Sequence, residues 1–195
     1  MSSPWIQTYM GKKFYPFDPK TEDIDIKDIA HSLSLTCRYN GHCKYLYSVA
    51  EHCIRMVDIV SENNKLWALL HDAAETYIGD ICKPIKNYSY YNWEEGYDDF
   101  RHVEDVERKI LYKIAEKFNL NHKFLHVYPK EVYEADLIMA ATEKRDIMVD
   151  SGLKWRKLPE PLKDRILPMY SVEEIFLETF EKLYKGRLVE NTSYR

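Results

Sequence analysis

The sequence predicts an all-α protein, organised as a single-domain bundle of about six to eight helices. In the long segments, apolar residues recur three or four positions apart, which is the period of an amphipathic helix. The same segments lack the alternation of apolar and polar residues that marks a half-buried strand. Glycine and proline are scarce, with 6 and 8 copies among 195 residues, so few positions interrupt a helix. A chain of this length is sufficient for one domain with a substantial core.

The first 23 residues are predicted to form an extended N-terminal arm, 1–23. Three prolines, Pro4, Pro16 and Pro19, fix the backbone dihedral φ and remove hydrogen-bond donors. Between them, the run Gly11–Lys13 resembles a hairpin turn, so the sequence permits a short two-stranded hairpin.

The helical core is predicted to span residues 24–150. Apolar residues repeat on one face of each of its segments, which is the pattern of helices that pack around a common core. In chain order, these helices cover about 24–35, 47–60, 65–78, 98–118 and 130–149. A C-terminal helical extension, 151–195, adds a last helix over about 171–184.

Local signals set some of the helix ends. Ser48 and Glu51 have the spacing of a capping box, which makes a structural role the simplest interpretation of Glu51. Gly79 is placed to end the central helix. The tyrosine- and tryptophan-rich loop 87–97 is long enough to be a lid or a partner surface, which is compatible with self-association as a homo-oligomer.

Composition excludes several classes of function. The formal net charge of -4 gives no reason to expect binding to a nucleic-acid polymer. The chain has no apolar run near the ~20 residues of a membrane span, and its N-terminus lacks the basic and apolar regions of a secretory signal. The four cysteines show no C-x-x-C spacing, which favours reduced thiols and a cytoplasmic location.

Four strongly polar side chains interrupt apolar helical runs and are candidate metal ligands. His52 lies on the second predicted helix, His71 and Asp72 on the third, and Asp136 on the helix over 130–149. A buried charge is costly unless it is compensated, and a bound cation would compensate all four. Two imidazoles and two carboxylates suit a borderline divalent ion and leave positions for water or substrate.

Simpler interpretations exist for each residue alone. A histidine in a helix is usually a packing residue, and an acidic residue on an amphipathic helix usually faces water. Glu75 follows Asp72 by three residues, which places both on one helical face. A carboxylate at that distance from metal ligands can orient water or exchange its proton, so Glu75 is the candidate acid/base.

Four short motifs resemble those of the HD-domain metal-dependent phosphohydrolases. They are Val49–His52, Leu70–Glu75, Gly79–Ile81 and Glu134–Asp136, in that order. The nearest resemblance is to the branch that contains bacterial 5′-deoxynucleotidases and phage dATP triphosphohydrolases. It extends over roughly residues 24–150.

The resemblance implies an HD-domain helical bundle and one divalent metal ion, with Mn, Co, Zn, Fe, Ni and Mg as candidates. The metal ligands implied are His52, His71, Asp72 and Asp136, and the catalytic residues implied are Glu75 and Asp72. A metal of this kind lowers the pKa of bound water toward ~7, which supplies hydroxide at neutral pH.

Substrate-binding residues are expected on both sides of the metal ligands. The deoxynucleotidases have an Arg-Trp pair before the first histidine, and Arg38 and Tyr39 stand in the matching place, with Tyr for Trp. Lys83 and Lys86 follow the central helix and can reach a phosphate, although surface cations are an equal interpretation. Glu143 shares a helix face with Asp136, and Glu143 and Arg145 are expected to form an internal ion pair, with a substrate-binding role as the alternative.

The resulting expectation is a nucleotide phosphohydrolase. A 5′-nucleotidase that acts on (deoxy)nucleoside monophosphates is favoured, since it needs only a compact anion pocket. A dNTP triphosphohydrolase needs a longer basic channel, for which Lys83, Lys86, Lys144 and Arg145 are candidates. A phosphodiesterase on cyclic or oligonucleotide substrates and a non-enzymatic nucleotide sensor are the remaining alternatives.

Overall fold

The computed structural model describes residues 4–86, 103–121, 129–153 and 155–192. Within these ranges it contains seven α-helices, one further helical turn at 83–86 and a sheet of two strands. The helices are α1 (Ile26–Leu35), α2 (Val49–Val57), α3 (Lys65–Leu70), α4 (Glu75–Ile78), α5 (Val103–Lys117), α6 (Lys130–Asp146) and α7 (Val172–Thr192). The prediction of an all-α bundle is confirmed.

The N-terminal arm contains the hairpin that the sequence permits. Strands β1 (Ile6–Gln7) and β2 (Lys13–Phe14) pair antiparallel, with Ile6 opposite Phe14. Gly11 lies in the connection between the strands with φ +77°, a backbone conformation that glycine adopts without steric strain. Phe14 is fully buried, and its ring stacks on Tyr77 of α4 with centroids 3.6 Å apart. The hairpin is therefore anchored to the helical core.

Ser48 caps the start of α2 as predicted, but the reciprocal bond of a capping box, from the Ser48 backbone N–H to the Glu51 carboxylate, is not among the hydrogen bonds of the described residues. The Ser48 hydroxyl accepts a hydrogen bond from the Glu51 backbone N–H at 3.1 Å, which satisfies one of the donors at the helix start. The Glu51 carboxylate binds Arg55 one turn later, with Oε1 2.7 Å from Nη2. Both contacts agree with a structural role for Glu51.

The prediction of one continuous helix over 65–78 is wrong in one respect, because a tight turn at residues 71–74 separates α3 from α4. Here backbone N–H groups bond three residues back rather than four. Ala73 N donates to Leu70 O at 3.1 Å, and Glu75 N donates to Asp72 O at 2.9 Å. In such a 3₁₀ turn, side chains three apart lie in line. Gly79 ends α4 with φ +80°, as predicted.

The core lies where α2 packs against α3, with α7 covering α1, α2 and α3 and with α6 against α2. Helix α7 extends well beyond the predicted 171–184, and its Phe176 and Phe180 are buried. The last helix is thus part of the main core. The loop 87–97 and the start of the helix predicted over 98–118 lie outside the described residues.

The described part of the chain bears on two expectations from composition. None of its helices has the length and apolar character needed to cross a membrane. Cys37, Cys43, Cys53 and Cys82 are free thiols.

Candidate metal centre

Three side chains from two elements converge in the core. His52 comes from the middle of α2 and is fully buried, and His71 and Asp72 come from the tight turn after α3. The Nε2 atoms of the two histidines are 3.4 Å apart, and Asp72 Oδ2 lies 3.2 Å from His71 Nε2 and 3.8 Å from His52 Nε2. One donor atom of each residue lies within 4.8 Å of the others, so this group could hold a metal ion.

The orientation of both imidazoles fits a cation. His52 Nδ1 donates to Glu143 Oε1 at 2.6 Å, and His71 Nδ1 donates to the carbonyl oxygen of Ala68 at 2.8 Å. With the proton on Nδ1, each neutral ring presents an Nε2 lone pair, and the two lone pairs face one another beside a carboxylate. Donors around an ion with bonds of ~2.1 Å are separated by roughly 3.0–3.5 Å, which matches the His52–His71 distance of 3.4 Å and the His71–Asp72 distance of 3.2 Å. The His52–Asp72 distance of 3.8 Å is longer than this range. A carboxylate or carbonyl on the second nitrogen is the usual support of metal-bound histidine.

In the absence of a metal ion, the charges within the group favour protonation of the two histidines. Burial lowers the pKa of His71, but the Asp72 carboxylate outweighs burial and raises it well above its ordinary value. Burial and the Arg38 charge lower the pKa of His52, but Glu143 and Asp136 raise it by more, so the pKa lies above its ordinary value. For Asp72, burial opposes ionisation, and His71, His52 and Arg38 together hold its pKa well below the usual range. The site therefore favours positive charge between its donors.

Asp136 lies at the edge of the group. It is on α6, and its Oδ1 is 3.5 Å from His52 Nε2 with the side chain 35% exposed. Burial raises its pKa, but the hydrogen bond and charge of His52 outweigh this and lower it. The fold thus brings all four of the predicted metal ligands to one place, with Asp136 the most open of them.

Glu143 is a buried residue whose partners the sequence analysis did not predict. Its carboxylate is fully buried and accepts from His52 Nδ1, from Arg38 Nη2 at 3.4 Å and from the Tyr39 hydroxyl. The Arg38 and His52 charges outweigh burial and lower the pKa of Glu143. The available signal was its position seven residues after Asp136, which puts both on one face of α6.

The predicted ion pair between Glu143 and Arg145 is wrong. Residues two apart on a helix point about 200° from one another, so Glu143 faces the core while Arg145 faces outward. Arg145 Nη2 binds Asp146 Oδ2 at 2.7 Å and the Asp164 carbonyl oxygen at 2.8 Å. It fastens the end of α6 to the segment that follows.

Arg38 and Tyr39 lie beside the metal ligands. Arg38 Nη1 is 3.3 Å from Asp72 Oδ2, and its buried Nε has no hydrogen-bond partner among the described residues. Tyr39 adopts the left-handed backbone region with φ 57°, which turns its hydroxyl onto Glu143. Burial and the Glu143 charge raise the pKa of that hydroxyl.

Glu75, Lys86 and Glu107 form a second buried charged group beside the first. Lys86 Nζ lies 3.8 Å from Glu75 Oε1 and 2.9 Å from Glu107 Oε2. Burial and the charges of Asp72 and Asp80 raise the pKa of Glu75 to about 10, against the opposing effect of Lys86. The raised pKa favours the protonated form of Glu75 at neutral pH. Lys83, in contrast, is exposed, as expected of a surface cation.

The sequence analysis also missed Glu107, although a signal was present. Val103, Val106, Ile110 and Ile114 mark the apolar face of α5, and Glu107 occupies a position on that face. An acidic residue at a core position needs a partner. Its partner, Lys86, comes from the turn after α4.

Comparison with known proteins finds relatives of this chain. The chain is 39% identical over 188 residues to the uncharacterized protein YfdR of Escherichia coli (strain K12), an alignment that covers 94% of this chain and 97% of that protein. It is 38% identical over 95 residues to the uncharacterized protein RCAP_rcc00048 of Rhodobacter capsulatus, covering 44% of this chain and 48% of that protein. No family model matches the chain.

Proposed function

The chain belongs to the family of the E. coli protein YfdR, and from its site we propose that it is a divalent-metal-dependent phosphohydrolase that removes phosphate from (deoxy)nucleoside 5′-monophosphates. The observation that carries the proposal is the convergence of two histidine Nε2 atoms and Asp72, with the buried carboxyl group of Glu75 three residues after Asp72. The helical fold and this cluster are compatible with an HD-like domain. The motif resemblance to the deoxynucleotidase branch supports the choice of substrate class.

Four residues would hold the metal, namely His52, His71, Asp72 and Asp136. When bound, a divalent ion supplies a water of lowered pKa and a positive charge for the phosphate oxygens. Glu143 and the Ala68 carbonyl keep both histidine Nε2 atoms directed at that position through hydrogen bonds to Nδ1. Asp72 also has a part in catalysis, because its carboxylate positions Arg38, with Oδ2 3.3 Å from Arg38 Nη1.

Glu75 is the proposed acid/base group. Its Oε1 faces the Lys86 ammonium, whereas its buried Oε2 has no hydrogen-bond partner among the described residues. The proton of the carboxyl group is therefore best placed on Oε2, from which it can pass to the leaving O5′ of a nucleotide. A bound divalent cation nearby would lower the pKa of Glu75 toward neutrality and favour that transfer.

Arg38 is the proposed phosphate-binding residue. Its guanidinium lies at the metal cluster, and its charge is stabilised by Glu143, Asp72 and Asp136 despite burial. Its buried Nε donor has no partner among the described residues and would gain one from a phosphate oxygen that enters the site, and an arginine remains charged at all relevant pH values. Tyr39 lies next to it and would line the sugar side of the pocket.

A monophosphate fits the surrounding charges better than a triphosphate. Two of the four cations considered for a triphosphate channel are already committed elsewhere. Lys86 is held between Glu75 and Glu107, and Arg145 is held by Asp146 and main-chain carbonyls. A compact phosphate at the metal needs only Arg38 and the ion itself.

Product analysis tests the proposal. Metal-loaded protein is incubated with dAMP, dTMP, AMP and dATP, with Mn²⁺, Co²⁺ and Mg²⁺ in parallel, and the phosphate products are separated. We expect orthophosphate from the monophosphates, and its loss on replacement of Asp72 by alanine. Glu134→Gln is the matched control, because Glu134 is an exposed carboxylate on the same helix as Asp136. Tripolyphosphate from dATP would contradict the choice of substrate, and no product from metal-loaded protein would contradict the enzymatic function.

A further inference from the structure

Trp155 lies beside the proposed substrate pocket and is not part of the candidate metal centre. A line of contacts leads to it from the metal ligands. Arg38 touches Asp72 and lies 5.5 Å from the centre of the Tyr39 ring, and the Tyr39 and Trp155 ring centres are 6.0 Å apart. Trp155 is thus one aromatic side chain removed from the residue proposed to bind phosphate.

Trp155 is the more exposed end of this line. The Arg38 and Asp72 side chains are 13% and 15% exposed, whereas Trp155 is 36% exposed. Trp67, by comparison, is 3% exposed in the core. Trp155 therefore keeps part of an indole surface open to solvent at the outer side of Tyr39. An exposed aromatic surface beside an anion-binding residue suits a ligand that has both an anionic and a planar apolar part.

Lys144 contacts the ring of Trp155. Its Nζ is 5.6 Å from the Trp155 ring centre, a cation–π contact from the same helix that carries Glu143 and Asp136. This contact fixes the indole relative to α6. The Tyr39 and Trp155 rings are tilted by 52°, so they meet at an angle instead of covering each other's faces.

We propose that Trp155 is the base-binding residue of the site, and that the planar base of a nucleoside 5′-phosphate stacks on its exposed indole surface while the phosphate lies at Arg38 and the metal ligands. This inference rests on the proposed function. It makes Trp155 a specificity-determining residue, since a stacked aromatic side chain distinguishes a nucleotide from a sugar phosphate. Stacking is tolerant of base identity because every base has a π-face.

Binding of two probes separates the base site from the phosphate site. The first probe is deoxyadenosine carrying a non-hydrolysable 5′-methylenephosphonate, and the second is inorganic phosphate. Both are titrated by calorimetry into Mn²⁺-loaded protein, and tryptophan fluorescence is recorded for the first. We expect Trp155→Ala to weaken the nucleotide analogue about 5- to 150-fold and to leave phosphate affinity unchanged. Trp155→Phe, which keeps a ring, should restore most of the affinity.

Trp5 provides the matched control. It is an exposed tryptophan, at 45%, with Lys13 Nζ 4.7 Å from its ring centre, but it lies in the N-terminal hairpin. Trp5→Ala should change neither affinity. Equal binding of the analogue by wild type and a folded Trp155→Ala variant would overturn the inference alone. If Mn²⁺-loaded wild type binds neither probe, the proposed function fails and the inference fails with it.

Discussion

The Nδ1 atom of His52 lies 2.6 Å from Oε1 of Glu143, and both side chains are fully buried. This hydrogen bond decides which way the imidazole faces. With Nδ1 engaged by Glu143, the Nε2 atom is directed at His71, Asp72 and Asp136. The same carboxylate binds Arg38 and Tyr39, so one buried acid orients a proposed metal ligand and two proposed substrate-binding residues.

Replacement of Glu143 by glutamine tests this relationship. The variant keeps the shape of the side chain but loses the charge that stabilises the His52 and Arg38 donors. Loss of a supporting partner of a metal-bound histidine typically costs 10–100-fold in metal affinity. We expect a decrease of that size for Mn²⁺, measured by calorimetric titration. An unchanged affinity in a folded variant would show that Glu143 does not orient His52.

Glu75→Gln should separate catalysis from metal binding. The amide cannot donate a proton to a leaving oxygen as a carboxyl group can, whereas it still fills the same buried space. We expect metal affinity near that of wild type and turnover of a nucleoside monophosphate reduced by ~10²-fold or more. If metal occupancy were lost together with activity, Glu75 would have to be a ligand or the support of one.

Glu107→Gln tests the second charged group. Among the described residues, Lys86 loses its nearer acidic partner, and its largely buried ammonium keeps weaker compensation. We expect the free energy of unfolding to fall by about 1–3 kcal/mol, measured by urea denaturation of the metal-free protein. Glu104→Gln, at an exposed position of the same helix, is the control and should change stability by less than about 0.5 kcal/mol. Similar losses in both variants would contradict a specific role for Glu107.

Asp146 gives a pH dependence that is independent of the metal ligands. The Arg145 hydrogen bond lowers the pKa of Asp146 below its ordinary 3.8, assisted by the backbone N–H of Ile166. A carboxylate with a lowered pKa stabilises the fold above its unfolded pKa, and this stability is lost as the pH falls through the folded pKa. The stability difference between wild type and Asp146→Asn should therefore be constant from about pH 7 to 5 and shrink below about pH 4. Urea denaturation at each pH measures it, and a difference that grows on acidification would contradict the assignment.

Helical periodicity was sufficient to predict most of the fold. The apolar faces that define α1, α2, α5 and α6 are local properties of the chain, and the structure has helices at each of these places. The turn at residues 71–74 could not be predicted in the same way. An α-helix and a 3₁₀ turn use the same residue types, and no glycine or proline lies between Leu70 and Glu75 to mark the change.

The candidate site was predictable where the residues share a helix face and less so where partners are distant in sequence. The spacing of Asp136 and Glu143 puts both on one side of α6, but only the fold shows that His52, 91 residues earlier, is the partner of Glu143. Lys86 and Glu107 are likewise brought together by packing of α5 against the segment after α4. Long-range pairs of this kind depend on tertiary structure, which periodicity does not contain.

The most direct test of the central claim is the metal content of the protein. Metal-free wild type and Asp72→Ala are each equilibrated with Mn²⁺ and with Co²⁺, dialysed and assayed for bound metal, and their helical content is compared by circular dichroism. The account predicts one ion per chain in wild type and a large loss of bound ion in Asp72→Ala, with helical content unchanged. A wild type that binds no divalent ion, or an Asp72→Ala variant that binds as wild type does, would contradict it.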